Sequence, residues 1–462
     1  MNAINRIETM PALSALPVAV IGAGPVGLAA AAQLLARGLP VRVYEAAGQV
    51  AGHIRAWGHV RLFSPWSYNI DDAARALLAQ SGWQAPPPAR HPTGAELIAD
   101  YVQPLAELPQ LKPLIETDAR VVGIARQGHD KMKTAGRETA PFLLLLRNQA
   151  GAERQVLARA VIDCSGTWSQ PNPLGASGLP VPGESEAAAA GQLAYGIPDL
   201  LGAERAQYAG RSVLVVGAGH SAANVLLDLG RLAQATPETT IIWAVRGASL
   251  ARLFGGGAND QLAARGALGR DLERLTQAGN LDLHLGTEVV ALRRQDGAML
   301  VSLRDRGGAL TEIVADRIII ATGQRPDLAM LREIRLDLDP ATESTRMLAP
   351  LIDPNLHSCG TVRPHGHREL AQPEPGFYIA GIKSYGRAPT FLLATGYEQV
   401  RSIAAALAGD IAAADDVQLN LPETGVCSSN LPLEAAAETS CCGTAKPRIR
   451  VKATSGTGSS CG

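Results

Sequence analysis

Two short stretches of this chain have the composition and spacing to hold a pyrophosphate. The first is Gly22-Ala23-Gly24-Pro25-Val26-Gly27, which follows an apolar, β-branched run over residues 17–21. In a turn between strand and helix, Gly22 permits the tight reversal and Gly24 lets the backbone approach a ligand. Gly27 lets the helix pack on the strand, and the helix N-terminus offers amide donors and a partial positive charge. Ala23 and Pro25 complete the turn. Glu45 ends the next apolar run, where its carboxylate can accept hydrogen bonds from ribose hydroxyls and would repel a 2′-phosphate. Strand, turn, helix and terminal acid agree on dinucleotide binding, where an isolated glycine turn would be weak evidence.

The second stretch is Gly217-Ala218-Gly219-His220-Ser221-Ala222. Ala222 stands in the third glycine's place, a form common among NADPH sites, and Ser221 lies in the first helical turn. The next strand ends in Val245-Arg246 rather than in an acid. A guanidinium there can pair bidentately with a 2′-phosphate, although a solvated strand-end charge reads the same way in sequence. His220 receives no role.

Each turn sits in a βαβ unit. In the first, a strand over residues 17–21 leads to a helix from about residue 28 to Arg37, stopped by Gly38, and to a strand over Val41–Tyr44. In the second, strands over Ser212–Val216 and Thr240–Val245 flank a helix over residues 221–229. Between the units lie an irregular stretch over 48–92, a helical segment over 94–105 and a strand meander over 119–162. A strand-rich stretch covers 281–320, and a strand, glycine loop and helix cover 377–407. Beyond Gly409 aromatics vanish and Ala, Ser, Thr and Gly accumulate, which reads as a flexible tail.

Composition excludes several functions. The chain has 462 residues, 46% hydrophobic and 18% charged, with a formal net charge of −1. That is enough for more than one core, and without a sustained basic run it argues against nucleic acid as a partner. No leader pattern and no apolar stretch near the roughly 18–20 residues of a membrane span is present, so the expected location is cytoplasmic and no membrane partner is expected. Six cysteines are present, and Cys427, Cys441, Cys442 and Cys461 fall in the tail. Their placement suggests reduced thiols rather than a disulfide framework. His357, Cys359, His365 and His367 fit no zinc spacing; no metal site is expected, and a loop bordering the active site is the better reading.

With Cys164-Ser165-Gly166-Thr167 and Ala321-Thr322-Gly323 at strand ends between the two units, the chain resembles the flavin-containing monooxygenase and pyridine-nucleotide reductase superfamily over residues 17–407. The resemblance implies an α/β fold of two nested Rossmann-like dinucleotide-binding domains plus a flexible Cys-containing C-terminal tail. The FAD domain would comprise residues 1–195 and 321–410, an inserted NADPH domain 196–320, and the tail 411–462. It also implies that Val121 holds adenine through its backbone, that Gly166 lies in the FAD site and Gly323 in the NADPH site, and that Gly376-Phe377-Tyr378-Ile379-Ala380-Gly381 is the last flavin-binding strand. Ile382 stands where the family often has Asp. A helix starting near Thr390 and Phe391 would aim its positive end at the flavin.

No catalytic side chain is assigned, because the chemistry is the flavin's. Relatives that reduce disulfides carry a cysteine pair shortly after the first acid or a Cys-x-x-Cys in the nicotinamide domain, and neither stretch has one here. The reduced flavin must pass its electrons to something else, and dioxygen as acceptor favours a monooxygenase. The segment 58–69, with Phe63, Trp66 and Tyr68, can wall the flavin from water or simply pack the core. Of the monooxygenase fingerprint FxGxxxHS only Tyr208-Ala209-Gly210 is found, a departure from the drug-metabolising subgroup.

Thiolates are soft ligands for trivalent arsenic or antimony, and the segments 422–430 and Ser440-Cys441-Cys442-Gly443 resemble tails of flavoproteins associated with arsenic resistance. That resemblance implies NADPH- and O2-dependent oxidation of a trivalent arsenical such as methylarsenite, or of antimonite. Three alternatives stay open: a reductase working through the tail thiols, a thiol-bearing sequestration protein, and N- or S-hydroxylation of an organic metabolite. Leu421-Pro422-Glu423-Thr424-Gly425 also matches a sortase signal, but no hydrophobic segment and basic tail follow it.

Overall fold

The computed structural model describes residues 12–250, 263–355, 362–388 and 391–419. The chain opens with β1 (Val18–Ile21), α1 (Pro25–Ala36) and β2 (Val41–Tyr44), followed by α2 (Asp72–Ala79) and the short β3 (Ile115–Glu116). Next come β4 (Arg120–Arg126), β5 (Phe142–Arg147), β6 (Glu153–Ala158) and β7 (Ala160–Asp163). Then follow β8 (Leu193–Tyr195), β9 (Ser212–Val216), α3 (His220–Ala235), β10 (Thr240–Val245) and α4 (Ala263–Gln277). β11 (Asp282–Leu285), β12 (Glu288–Gln295), β13 (Ala298–Arg304), β14 (Leu310–Ala315) and β15 (Arg317–Ile320) complete the second unit. The chain then returns through β16 (Phe377–Ile379), α5 (Leu393–Leu407) and α6 (Ile411–Asp415).

The sheets follow directly from the apolar runs. β1 is buried at all four positions, as a parallel strand covered on both faces must be. Its side chains alternate between two cores. Val18 and Val20 pack with α1 and α5, while Ala19 and Ile21 pack with Phe142, Leu144 and Phe377 under the antiparallel sheet. The first parallel sheet has the order β16-β7-β1-β2-β3. The second unit repeats the plan, with the order β11-β10-β9-β15-β8. Val213 and Val215 face α3, and Leu214 faces the β12-β13-β14 sheet. Each unit is therefore helix, parallel sheet and antiparallel sheet in three layers, the α/β fold with two Rossmann-like domains that the motifs predict.

Four details differ from the sequence reading. The fourth strand of the 119–162 meander, β7, leaves the antiparallel sheet and pairs in parallel with β1 and β16, because Val161 and Ile162 are apolar on both faces. The first and last strands of the 281–320 stretch likewise join the parallel sheet. The division drawn at 195/196 falls inside the second sheet, since β8 pairs with β15. The chain also stays packed past Gly409: Asp410 caps α6, and the Arg401 guanidinium and Ser402 hydroxyl donate to Ala413 O and Ala414 O at 2.9 and 2.7 Å. Among the described residues, no helix is long and apolar enough to cross a membrane.

Candidate dinucleotide sites

The C-terminal ends of β1, β2 and β7 and the turn after β16 enclose a cavity of about 440 Å³. Gly22 enters it at φ +95°, and a Cβ there would stand 2.8 Å from Cys164 O. A Cβ on Gly27 would stand 1.9 Å from Gly22 O, so only glycine lets α1 close on the turn. Gly24 has nothing within 4 Å of its would-be Cβ, and it lines the cavity. This is the cradle a pyrophosphate requires: bare backbone at an N-cap with no side-chain cap, and Pro25 in the first turn. FAD fits the donor set. The wall includes Arg120 and Val121, the Gly22, Gly24 and Pro25 positions of the turn, and Ile382, Phe391 and Leu393.

Glu45 is buried and lines the same cavity. Its Oε2 accepts from the Ala23 amide at 2.8 Å and its Oε1 from the Ala47 amide at 2.9 Å. The carboxylate thus buttresses the turn from within the cavity wall. Gly166, at φ +73°, and Gly381, at φ +71°, bring two further loops to the wall. The Gly381 amide donates to Gln399 Oε1 at 2.8 Å, and Gln399 Nε2 meets His365 Nε2 at 3.0 Å. His365 is thus a buried support behind this turn; His367 pairs instead with Asp415 at 2.9 Å. Cys164 also lines the cavity, where burial and then the Asp163 carboxylate push its thiol up, so it stays protonated at neutral pH. α5 begins at Leu393, two residues later than the start read near Phe391, and Thr390 lies outside the described residues.

At the second turn, Gly217 has φ +140° and a Cβ there would stand 2.3 Å from Ala321 O. Gly219 is open like Gly24 and caps α3 without a side chain; Ser221 and the buried Ala222 follow in its first turn. Trp243 Nε1 donates to Gly217 O at 2.8 Å and steadies the turn. Gly323, at φ +89°, sits where the chain crosses back. Arg246 is exposed beyond β10, with Nη1 donating to Ala176 O at 2.8 Å.

The aromatic segment divides. Trp66 is buried in the core and is not part of the cavity wall, whereas Phe63 packs on His220 with ring centroids 5.3 Å apart. Tyr44, Trp57, Trp168 and Phe391, all outside the segment singled out, are the aromatic side chains of the wall instead. Sequence reasoning also missed Arg120 and the Asp163–Lys383 pair; the lone lysine in an apolar turn was the available signal. Cys359, His357, Cys427, Cys441, Cys442 and Cys461 lie outside the described residues. Among the described residues, no cluster of three His, Cys, Asp or Glu side chains is placed to hold a metal.

Comparison with known proteins agrees with this geometry. A family model described as pyridine nucleotide-disulphide oxidoreductase matches residues 16–341. Bacillithiol disulfide reductase from Bacillus cereus superposes with a TM-score of 0.64 at 18% identity, covering 85% of this chain and 99% of that one. Thioredoxin reductase from T. acidophilum gives 0.53 at 16%, covering 86% and 98%. Ornithine hydroxylase from Pseudomonas aeruginosa gives 0.57 at 17%, covering 86% and 99%. At these identities the solved structures share the fold.

Proposed function

The chain belongs to the pyridine nucleotide-disulphide oxidoreductase family and is an FAD-dependent enzyme that takes electrons from NADPH; from that premise we propose that it is a monooxygenase acting on trivalent arsenicals or antimonite. The observation that carries this reading is the cysteine inventory of the flavin cavity. Cys164 is the single cysteine among the lining residues, its thiol is held protonated, and the sequence places no cysteine pair after Glu45 or in the nicotinamide domain. Among the described residues, electrons therefore have no protein dithiol beside the flavin to enter, which favours a diffusible acceptor. Bound FAD supplies hydride acceptance from NADPH and activation of dioxygen for transfer to a nucleophile.

The chain's own residues do the rest. The Gly22–Gly27 turn and Glu45 hold one end of FAD, Trp57, Ile382 and Phe391 give the cavity apolar walls that exclude water, and the Gly217–Ala222 turn with Arg246 takes the NADPH phosphates. Trivalent arsenic brings a nucleophilic lone pair and needs no proton abstracted to react. One oxygen atom of O2 goes to arsenic, raising it to the pentavalent state. The other leaves as water with the two electrons of NADPH and two protons. Cys427, Cys441, Cys442 and Cys461 serve as soft ligands that capture the substrate and deliver it inward.

The test is oxygen uptake by purified protein with NADPH, screened against arsenite, methylarsenite, antimonite, a small amine and a sulfide. A trivalent metalloid should accelerate uptake and appear as one pentavalent product per NADPH. Equal conversion under strict anaerobiosis removes oxygen transfer. A reductase reading is favoured if Cys441→Ser/Cys442→Ser abolishes turnover at saturating substrate, whereas capture predicts mainly a raised KM.

A further inference from the structure

The turn after β16 carries a buried cation. The Lys383 side chain is 1% exposed and the Asp163 side chain 0%. Lys383 Nζ donates to Asp163 Oδ2 at 2.7 Å and to Ser165 Oγ at 3.0 Å. Asp163 Oδ1 in turn accepts from the Ser165 amide at 3.0 Å and hydroxyl at 2.7 Å. A buried ion pair seldom stabilises a fold more than apolar side chains of the same volume would, so this one points to a use beyond packing. Lys383 and Ser165 both line the FAD cavity, next to Gly22, Gly166 and Ile382. The Ser165 hydroxyl has given its hydrogen to Asp163. An ammonium has three hydrogens, and these two contacts use two of them. The side chain of Ile382, at the position where relatives often carry Asp, has no polar atom to offer a ribityl chain.

We propose that Lys383 is an FAD-binding residue, its third N–H donating to an oxygen of the ribityl–pyrophosphate chain, with Asp163 and Ser165 fixing the ammonium in place of the side chain that Ile382 cannot supply. The proposal rests on FAD occupying this cavity. Because lysine and aspartate neutralise each other, the arrangement places a directed donor in the wall without leaving an unpaired buried charge.

The experiment is FAD titration of the apo-protein, followed by flavin fluorescence, for wild type and for Asp163→Asn/Lys383→Met. The double variant removes both charges together, so neither ion is left buried alone, and the introduced amide keeps an acceptor for Ser165. Affinity is read well below the melting temperature of both proteins. The FAD Kd should rise by about tenfold or more, the loss expected for one hydrogen bond from a charged donor, while NADPH affinity stays at the wild-type value. An unchanged FAD Kd overturns the assignment of Lys383. Competition by ADP locates the contact: an equal loss for ADP puts it on the pyrophosphate, and a loss confined to FAD puts it on the ribityl chain. Wild-type protein that binds no FAD would remove the cofactor reading itself, a result distinct from failure of the lysine contact alone.

Discussion

A methyl group distinguishes two kinds of glycine in the first turn. On Gly27 it would collide with Gly22 O at 1.9 Å, whereas on Gly24 it would meet no protein atom within 4 Å. Gly24→Ala should therefore leave the apo-protein's stability within about 0.5 kcal/mol of wild type while lowering FAD affinity, because its Cβ occupies ligand space. Gly27→Ala should lower both. Melting of the stripped proteins and their flavin content after reconstitution separate the two effects. Arg246 gives a second prediction: Arg246→Ala should weaken NADPH by about tenfold or more and leave NADH nearly unchanged, since only NADPH carries the 2′-phosphate. Equal losses for both would make Arg246 a surface charge. The glycines were legible in the sequence because their roles are local. Lys383 was not, because its partner Asp163 is 220 positions away and only the closing of β16 onto β7 brings them together.

Between residue and domain, the helices explain why the flavin half holds its shape. α1 is buried along most of its length, and a Cβ on Gly396 of α5 would stand 2.7 Å from Val26 Cγ2, so the bare backbone at Gly396 is what lets α5 pack on the Val26 side chain of α1. α2 is fastened to α1 through its cap: Asp71 accepts from the Ala74 amide at 2.9 Å and from Gln33 Nε2 at 3.0 Å. Burial pushes the Asp71 carboxyl up to about 6, against the pull of those hydrogen bonds. With its folded pKa above its unfolded one, Asp71 binds protons more readily in the native state between about pH 4 and 6. Its ionisation thus subtracts stability as pH rises through that window. The stability of wild type relative to Asp71→Asn should accordingly increase as pH falls from 7 to 4; a difference independent of pH would contradict this. The helices' existence was legible from apolar runs and glycine stops, but their ends were not. α1 begins at Pro25 and α3 extends to Ala235 because tertiary burial, which no local pattern states, sustains the extra turns.

At the scale of the molecule, the chain leaves the first sheet after β7 and returns after β15, and the two crossings are tied to each other. Asn172 N donates to Gly323 O at 2.9 Å, Thr322 Oγ1 to Asn172 O at 3.0 Å and Arg325 N to Gln170 O at 3.0 Å. Phe63 adds a contact from the first unit to His220 at the second turn. The nesting of the units was readable from two repeated motifs; the three-layer build of each was less so, since β7, β11 and β15 look in sequence like members of their neighbouring meanders. In the proposed reaction electrons pass from NADPH to the flavin and then out of the protein, with no dithiol station. Anaerobic titration of the FAD-loaded enzyme with NADPH, followed by flavin absorbance, tests it most directly, because a flavin alone takes up one hydride equivalent and a flavin coupled to a disulfide takes up two. Complete bleaching at about one NADPH per flavin is the predicted result. An end point near two, falling to one when Cys441 and Cys442 are replaced by serine, would contradict it.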